Sequence, residues 1–234
     1  SVINAKTMGV QVCAGSLNIS GAGTAITVSG DGIDKTINDG AIEDGAAISI
    51  VNRTGYKGLS KIEVEDGKFT AKGTNAAVKA YNWKDLTPSD FTQNDKVSVS
   101  GGTFSSTVPE NCCAPGFVPT QNGNTYGVEI KANMAAEVLD AQGKTVAAYG
   151  KLADAINAAS NGDTVKLVNN VTENVTIPAG KTITLDLNGK TLTNVKDHTI
   201  LNNGNLTITG AGTVDNVSHQ KGALYNKGTV VVNG

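Results

Sequence analysis

The chain has 234 residues and a formal net charge of -2, and Gly, Thr and Asn fill a third of it with 28, 26 and 24 copies. Its apolar share of 39% rests on Val, Ile, Leu and Ala, which excludes a disordered chain, while 4% aromatics argue against a carbohydrate cleft lined by Trp and Tyr. Arg53 is the only arginine, so the clustered cations of phosphate recognition are missing and nucleic acid is not an expected partner. No apolar run reaches the roughly 18 residues of a membrane span, so membrane insertion is not expected. Ser1 opens without a basic segment and an apolar segment behind it. Any signal peptide is therefore expected to have been removed or to lie elsewhere in a longer precursor.

From residue 1 to about 107 the strand signal is dense and each strand is short. Aliphatic–polar–aliphatic triplets recur at Leu17 to Ile19, Ile26 to Val28, Ile48 to Ile50, Ile62 to Val64 and Val97 to Val99. Each is closed by Gly, Asn or Asp, and a period of two puts the aliphatics on one face. Residues 108–147 read as a Pro- and Asn-rich closing segment and connection, with a hairpin around Gln121 to Asn124. From Tyr149 to Ala159 the apolar residues Leu152, Ala155, Ile156 and Ala159 lie three and four apart, ended by Asn161-Gly162. That spacing predicts a short amphipathic helix within 148–163, placed to cover the open end of an apolar core. From 164 to 234 the triplets return at Val175 to Ile177, Ile183 to Leu187, Leu206 to Ile208 and Val230 to Val232.

Spacing decides the architecture. Ile26 to Ile48 is 22 residues, Ile183 to Leu206 is 23 and Leu206 to Val230 is 24, a near-constant period that marks a solenoid. Lys61 to Ala71 also lines up with Lys96 to Ser106, and Leu17 to Thr24 with Leu206 to Thr213. The expected fold is all-β, a right-handed parallel β-helix with one short capping α-helix, its handedness following the bias of parallel crossovers. Ile26, Ile48, Ile62, Val97, Leu185, Ile208 and Val231 are expected inside.

Two stretches carry a family resemblance. Ala148 to Val168, followed by Lys181 to Leu192, resembles the opening of pectin-lyase-like right-handed β-helix domains in large surface proteins of gut Gram-positive bacteria. Val97 to Phe104, then Cys112 to Phe117 and Asn124 to Val128, resembles the way such domains close. The resemblance implies the fold and a cell-surface or extracellular setting, with an adhesive or structural role. Here the closing motif precedes the opening one.

Chemistry is sparse. Asp31, Asp34, Asp39 and Asp44 form an acidic stretch from which calcium, taking about six to eight oxygens, is the one cofactor to consider. The stretch has neither EF-hand spacing nor a nonapeptide repeat, and turn-forming Asp residues on a wet surface explain it too. Arg53 stands alone in a Gly-containing loop and reads as a solvated turn residue. His198 and His219 lie 21 residues apart, near one period, but two histidines without a thiolate make a poor metal site. Of the three cysteines, an extracellular setting favours a bridge from Cys13 to Cys112 or Cys113, which would tie the closing segment to the first strands. No catalytic constellation is recognised, and no catalytic residue is expected.

The first reading is thus a non-catalytic structural or adhesive module of an extracellular bacterial surface protein. Its partners would be a host or bacterial surface glycan or protein, or copies of itself. Strands near Val10 and Val12 begin without a cap, and those at Val230, Val231 and Val232 stop without one. Reading Gly234 straight on to Ser1 restores the family order. The expectation is a head-to-tail fibre through these open ends, or one unit of a tandem-repeat protein. A carbohydrate-binding β-helix is the alternative, which Tyr56, Tyr81 and Trp83 in one pocket would favour. A polysaccharide lyase or hydrolase, which would need clustered carboxylates, is the third reading.

Overall fold

A computed structural model describes residues 1–36, 42–53, 55–89 and 96–233. The chain is all-β with one α-helix, its strands gathered mostly into parallel sheets. It divides into two compact units, Ser1–Glu129 and Ile130–Gly234. Every triplet named above lies in a strand, with Leu187 alone falling just past the end of Thr182–Asp186.

In the first unit the chain visits three sheets in rotation. Val2–Ala5, Val10–Val12 and Gly15–Ile19 lead to Ala25–Val28, Ile48–Asn52 and Leu59–Val64. Lys68–Thr70, Val78–Asn82 and Val97–Val99 follow, and each strand pairs in parallel with its counterpart in the previous round. The inward aliphatics Ile26, Ile48, Ile62 and Val97 are buried. The self-similar stretches are stacked neighbours. Val97 pairs with Ile62 and Phe104 with Phe69, and the two buried phenyl rings stack at 4.9 Å. A constant offset thus puts like side chains against like in the interior.

The 22-residue spacing of Ile26 and Ile48 is not a stacking period. Ile26 pairs with Ile3 and Phe69, whereas Ile48 pairs with Val10 and Val78 in another sheet. Segment 29–47 lengthens this round, and a coincidence of length mimics the period. The unit ends in the hairpin Phe117–Asn122 and Thr125–Ile130, turning at Gly123 with φ +63°. Thr125–Ile130 runs antiparallel to Thr103–Phe104 and closes that sheet.

The second unit repeats the rotation with shorter connections. Thr182–Asp186, Asn205–Thr209 and Thr229–Val232 add in parallel to Thr164–Leu167, with Ile183 on Leu206 and Leu206 on Val230. Here the 23- and 24-residue intervals are true stacking periods. Val231 is a correction: it pairs with Thr207 and is 46% exposed. Val230 and Val232 take the inward phase of Leu206 and Ile208, so period two turns Val231 outward.

The abundance of Asn is explained at the corners. Asn161, Asn170 and Asn174 each accept, through Oδ1, the backbone N–H of Thr182, Thr191 and Val195, one period ahead. Asn194 does the same for Val217. Short amides thereby satisfy corner N–H groups that no strand ladder reaches.

The predicted helix spans Leu152–Ala158. Leu152, Ala155 and Ile156 are fully buried and share a core with Val165, Leu167 and Leu185. Glu173 accepts the N–H groups of Leu152 and Ala153, and Lys181 donates to the carbonyls of Asn157 and Ala159. Opposite charges thus hold the two ends of the helix dipole. A second hairpin, Ala136–Leu139 with Thr145–Tyr149, was not foreseen within the connection. It pairs antiparallel with Thr164–Leu167, and Asp140 accepts the N–H groups of Gln142 and Lys144 across its turn. Its buried Glu137 is held by Thr145 at 2.6 Å and Lys166 at 3.1 Å.

Corner spacing is tight. A Cβ on Gly204 would lie 2.5 Å from the carbonyl oxygens of both Lys181 and Pro178. Gly204→Ala is therefore expected to cost about 1–3 kcal/mol, read as a lower melting midpoint. An unchanged midpoint would contradict this packing.

Candidate functional site

The outer face of the sheet Val10–Val12, Ile48–Asn52 and Val78–Asn82 carries the densest chemistry of the first unit. Register aligns Gln11, Ser49 and Lys79 in one row and sets Val51 beside Tyr81. Segments 29–47 and 83–96 interrupt the rotation beside this sheet; Asp44 of the first and Pro88 and Ser89 of the second lie against it. Insertions into a repeating chain commonly gather on a binding face.

Asp44 comes from the first insertion and is 2% exposed. Its Oδ1 accepts the N–H of Ala46 at 2.9 Å, and its Oδ2 accepts the hydroxyls of Ser49 at 2.6 Å and Tyr81 at 2.7 Å. Lys79 donates to its backbone carbonyl at 2.8 Å. The carboxylate is spent on locking the insertion to the strands.

Burial, and then the Asp44 carboxylate, hold the Tyr81 phenol protonated far above its ordinary range. The linkage has a defined sign. Above the ordinary phenol value of about 10, the unfolded chain releases this proton and the native chain keeps it, so stability falls as pH rises. Tyr81→Phe is expected to flatten that alkaline loss in melting curves between about pH 9 and 11. An identical pH profile would show that Tyr81 is not held this way.

A small apolar cluster of Val51 and Tyr81, with Cys13, Trp83 and Leu86 against it, sits beside this network. Ser89 donates its N–H to Ala80, and Asn111 donates its amide to the Ser89 carbonyl, folding the second insertion onto the strand. A cavity of about 400 Å³ lies between, walled by Val78, Ala80, Leu86, Pro88 and Pro109, with Lys79, Tyr81 and Asn111 as its polar members.

Arg53 is not a solitary turn residue. Its guanidinium lies 4.4 Å from the Tyr56 ring centroid and 4.6 Å from that of Trp83. The only arginine and the only tryptophan of the chain are thus joined to a half-exposed tyrosine. Asn52 donates to Asn82 at 2.9 Å across the last pair of the two strands. One signal could have found this: Asn52 and Asn82 end the paired strands at the same register, so Arg53 and Trp83 leave them side by side. Tyr81 and Trp83 do meet in one cluster, but Tyr81 is 6% exposed and serves the interior.

The remaining candidates are dispersed. Asp31 is exposed and pairs with Lys72 at 2.6 Å. Asp39 and the side chain of Asp34 lie outside the described residues. Among the described residues no three His, Cys, Asp or Glu form a metal-binding group. His198 stacks on Tyr225 at 4.7 Å and accepts the Gly222 N–H, while His219 is exposed.

The expected bridge from Cys13 to Cys112 or Cys113 is not formed: no disulfide joins the described cysteines. Strand order gives the reason. Cys13 follows an outermost strand of its sheet, while Cys113 bridges to Val99 in the outermost strand at the far side of another. Burial pushes the Cys112 thiol up to about 12 and raises that of Cys13, the latter opposed by Arg53. Neither thiol is an activated nucleophile.

Among the described residues no helix is long and apolar enough to cross a membrane. No protein-family model matches the chain, and no curated protein or solved structure is significantly similar to it.

Proposed function

We propose that the chain is a non-catalytic module of an extracellular bacterial surface protein, with a structural or adhesive role. In this reading each rotation through three sheets is one coil of a right-handed parallel β-helix, and the helix Leu152–Ala158 caps the coils from Thr164 onward. The parallel registers and the buried aliphatic rows support it. The adhesive face is the outer side of the sheet Val10–Val12, Ile48–Asn52 and Val78–Asn82. One observation carries that assignment: Arg53, Tyr56 and Trp83 are gathered there from two loops and left partly exposed. A stiff scaffold with an aromatic–cation cluster suits recognition of a surface glycan or protein.

The same cluster favours glycan over protein as the first ligand to test, because a half-exposed Tyr56 offers a stacking face and the Arg53 guanidinium against it offers hydrogen-bond donors. A lyase or hydrolase has less support, since both oxygens of Asp44 are committed to structural donors. A glycan array tests the proposal. The parent chain is expected to bind a defined set of glycans, with Trp83→Ala losing at least tenfold in affinity. Equal binding by both proteins would move the adhesive face elsewhere.

A further inference from the structure

We infer that the cavity beside Val78–Asn82 takes the acetamido group of an N-acetylated sugar, with the methyl among Leu86, Pro88 and Pro109 and the carbonyl on the Ala80 N–H. The inference rests on the glycan reading above and names the sugar class.

The cavity exists because one round lays no strand on this sheet. Thr103–Phe104 adds to Lys68–Thr70 and Cys113 bridges to Val99, so residues 105–112 pass the outer edge of Val78–Asn82 in between. They do not pair with it. Ser106 accepts the Ala77 N–H through its hydroxyl, Pro109 has no N–H to give, and Glu110–Cys112 turns as a 3-10 helix. On the other flank the chain returns from Asn82 and meets the same edge at Tyr81, opposite Pro88. About 400 Å³ is left between, inside the roughly 300–1,000 Å³ range of small-ligand sites.

Three backbone groups border this space. Along a strand, alternate residues turn their N–H and C=O groups to opposite edges. Ala77 and Trp83 bond toward Ile48–Asn52, which leaves the groups of Val78, Ala80 and Asn82 on the cavity side. The Ala80 carbonyl takes the Ser89 N–H, and Asn82 bonds to Thr87 and Leu86. The Val78 N–H, the Val78 carbonyl and the Ala80 N–H have no partner among the described residues, although Val78 is only 1% exposed. Buried backbone groups are nearly always paired, so these call for a ligand or water. Asn111 lines the same cavity and donates its amide to the Ser89 carbonyl at 2.7 Å. Among the described residues its Oδ1 has only the weak Cys112 thiol, at 3.8 Å.

A trans amide matches that arrangement. Its carbonyl and N–H point opposite ways, one toward the Ala80 N–H and the other toward the Asn111 Oδ1. The hydroxyl beside an acetamido group both donates and accepts, which suits the two Val78 groups. An extended peptide fits less well. Val78 to Ala80 is a free edge of three residues closed by Pro88, and strand addition draws its affinity from a longer row of main-chain bonds. Leu86 is an independent sign. Its φ is +59°, and it is the only apolar residue among the four described non-glycine residues in the left-handed region. A Cβ makes that conformation costly, and such strain gathers where a binding surface is shaped. Leu86 and Trp83 pack on the same pair, Val51 and Tyr81, so the cavity adjoins the aromatic–cation cluster.

Amide NMR spectra of the isotope-labelled full chain test this, titrated with the methyl glycosides of N-acetylglucosamine and N-acetylgalactosamine and with those of glucose and galactose. At least one acetylated sugar is expected to bind at least tenfold more tightly than its unacetylated counterpart. It is expected to shift the Val78 and Ala80 amide resonances, with the acetyl methyl receiving the largest saturation transfer from the protein. Leu86→Gly relieves the left-handed backbone and removes a wall, so it is expected to weaken the acetylated sugar at least tenfold while the amide spectrum of the second unit stays as in the parent. Equal binding of acetylated and unacetylated sugars, unmoved Val78 and Ala80 resonances, or parent-like affinity in Leu86→Gly would overturn the acetamido assignment. So would no binding of these four sugars by a chain that binds other glycans on an array, which would leave the glycan reading standing. A chain that binds no glycan at all would overturn both.

Discussion

Replacing Ile156 with aspartate is expected to destabilise the second unit by about 4 kcal/mol or more, the combined cost of an emptied apolar site and a charge without a partner. Ile156 is fully buried among Leu152, Val165 and Leu167, and the charges near the helix, Glu173 and Lys181, are already engaged at its two ends. The aspartate would either hold its charge in an apolar interior or drag the helix off the strands. Thermal or urea unfolding reads this as an earlier transition. Ile156→Val, keeping most of the volume, is expected to cost only about 1 kcal/mol. If the aspartate variant melts with the parent, the helix does not close this core.

The second large effect is expected at Asp44. Asp44→Ala would leave the Ser49 and Tyr81 hydroxyls and the Ala46 N–H without their acceptor in a buried place, a loss of about 3–5 kcal/mol across the three groups. Asp44→Asn retains one carbonyl oxygen and is expected to lose less. The same substitution should free the insertion from the strands, so limited proteolysis near residue 44 would accelerate in the alanine variant. Parent-like proteolysis and stability would mean that the insertion is held by other contacts.

Much of the fold was legible because period-two aliphatic triplets mark short strands with one apolar face. The offset between Lys61 to Ala71 and Lys96 to Ser106 marked true register, since Val97 pairs with Ile62 and Phe104 with Phe69 in parallel strands. The offset between Ile26 and Ile48 misled, because an insertion changes the length of a round without changing its strands. The hairpin at Ala136–Leu139 was hidden by a buried charge, Glu137, whose partners Thr145 and Lys166 lie eight and 29 residues away in sequence. The site was less legible for the same reason. Arg53 and Trp83 lie 30 residues apart, and only the pairing of Asn52 with Asn82 brings them to one place. Cys13 and Cys112 suggested a bridge by compartment chemistry alone, and strand order decided against it.

A crystal structure that traces every strand tests the central claim most directly. The account predicts a chain that winds right-handed, with Ile183, Leu206 and Val230 stacked in parallel at steps of about 4.8 Å and Phe104 on Phe69. Left-handed winding, or Leu206 paired antiparallel with its neighbours, would contradict it.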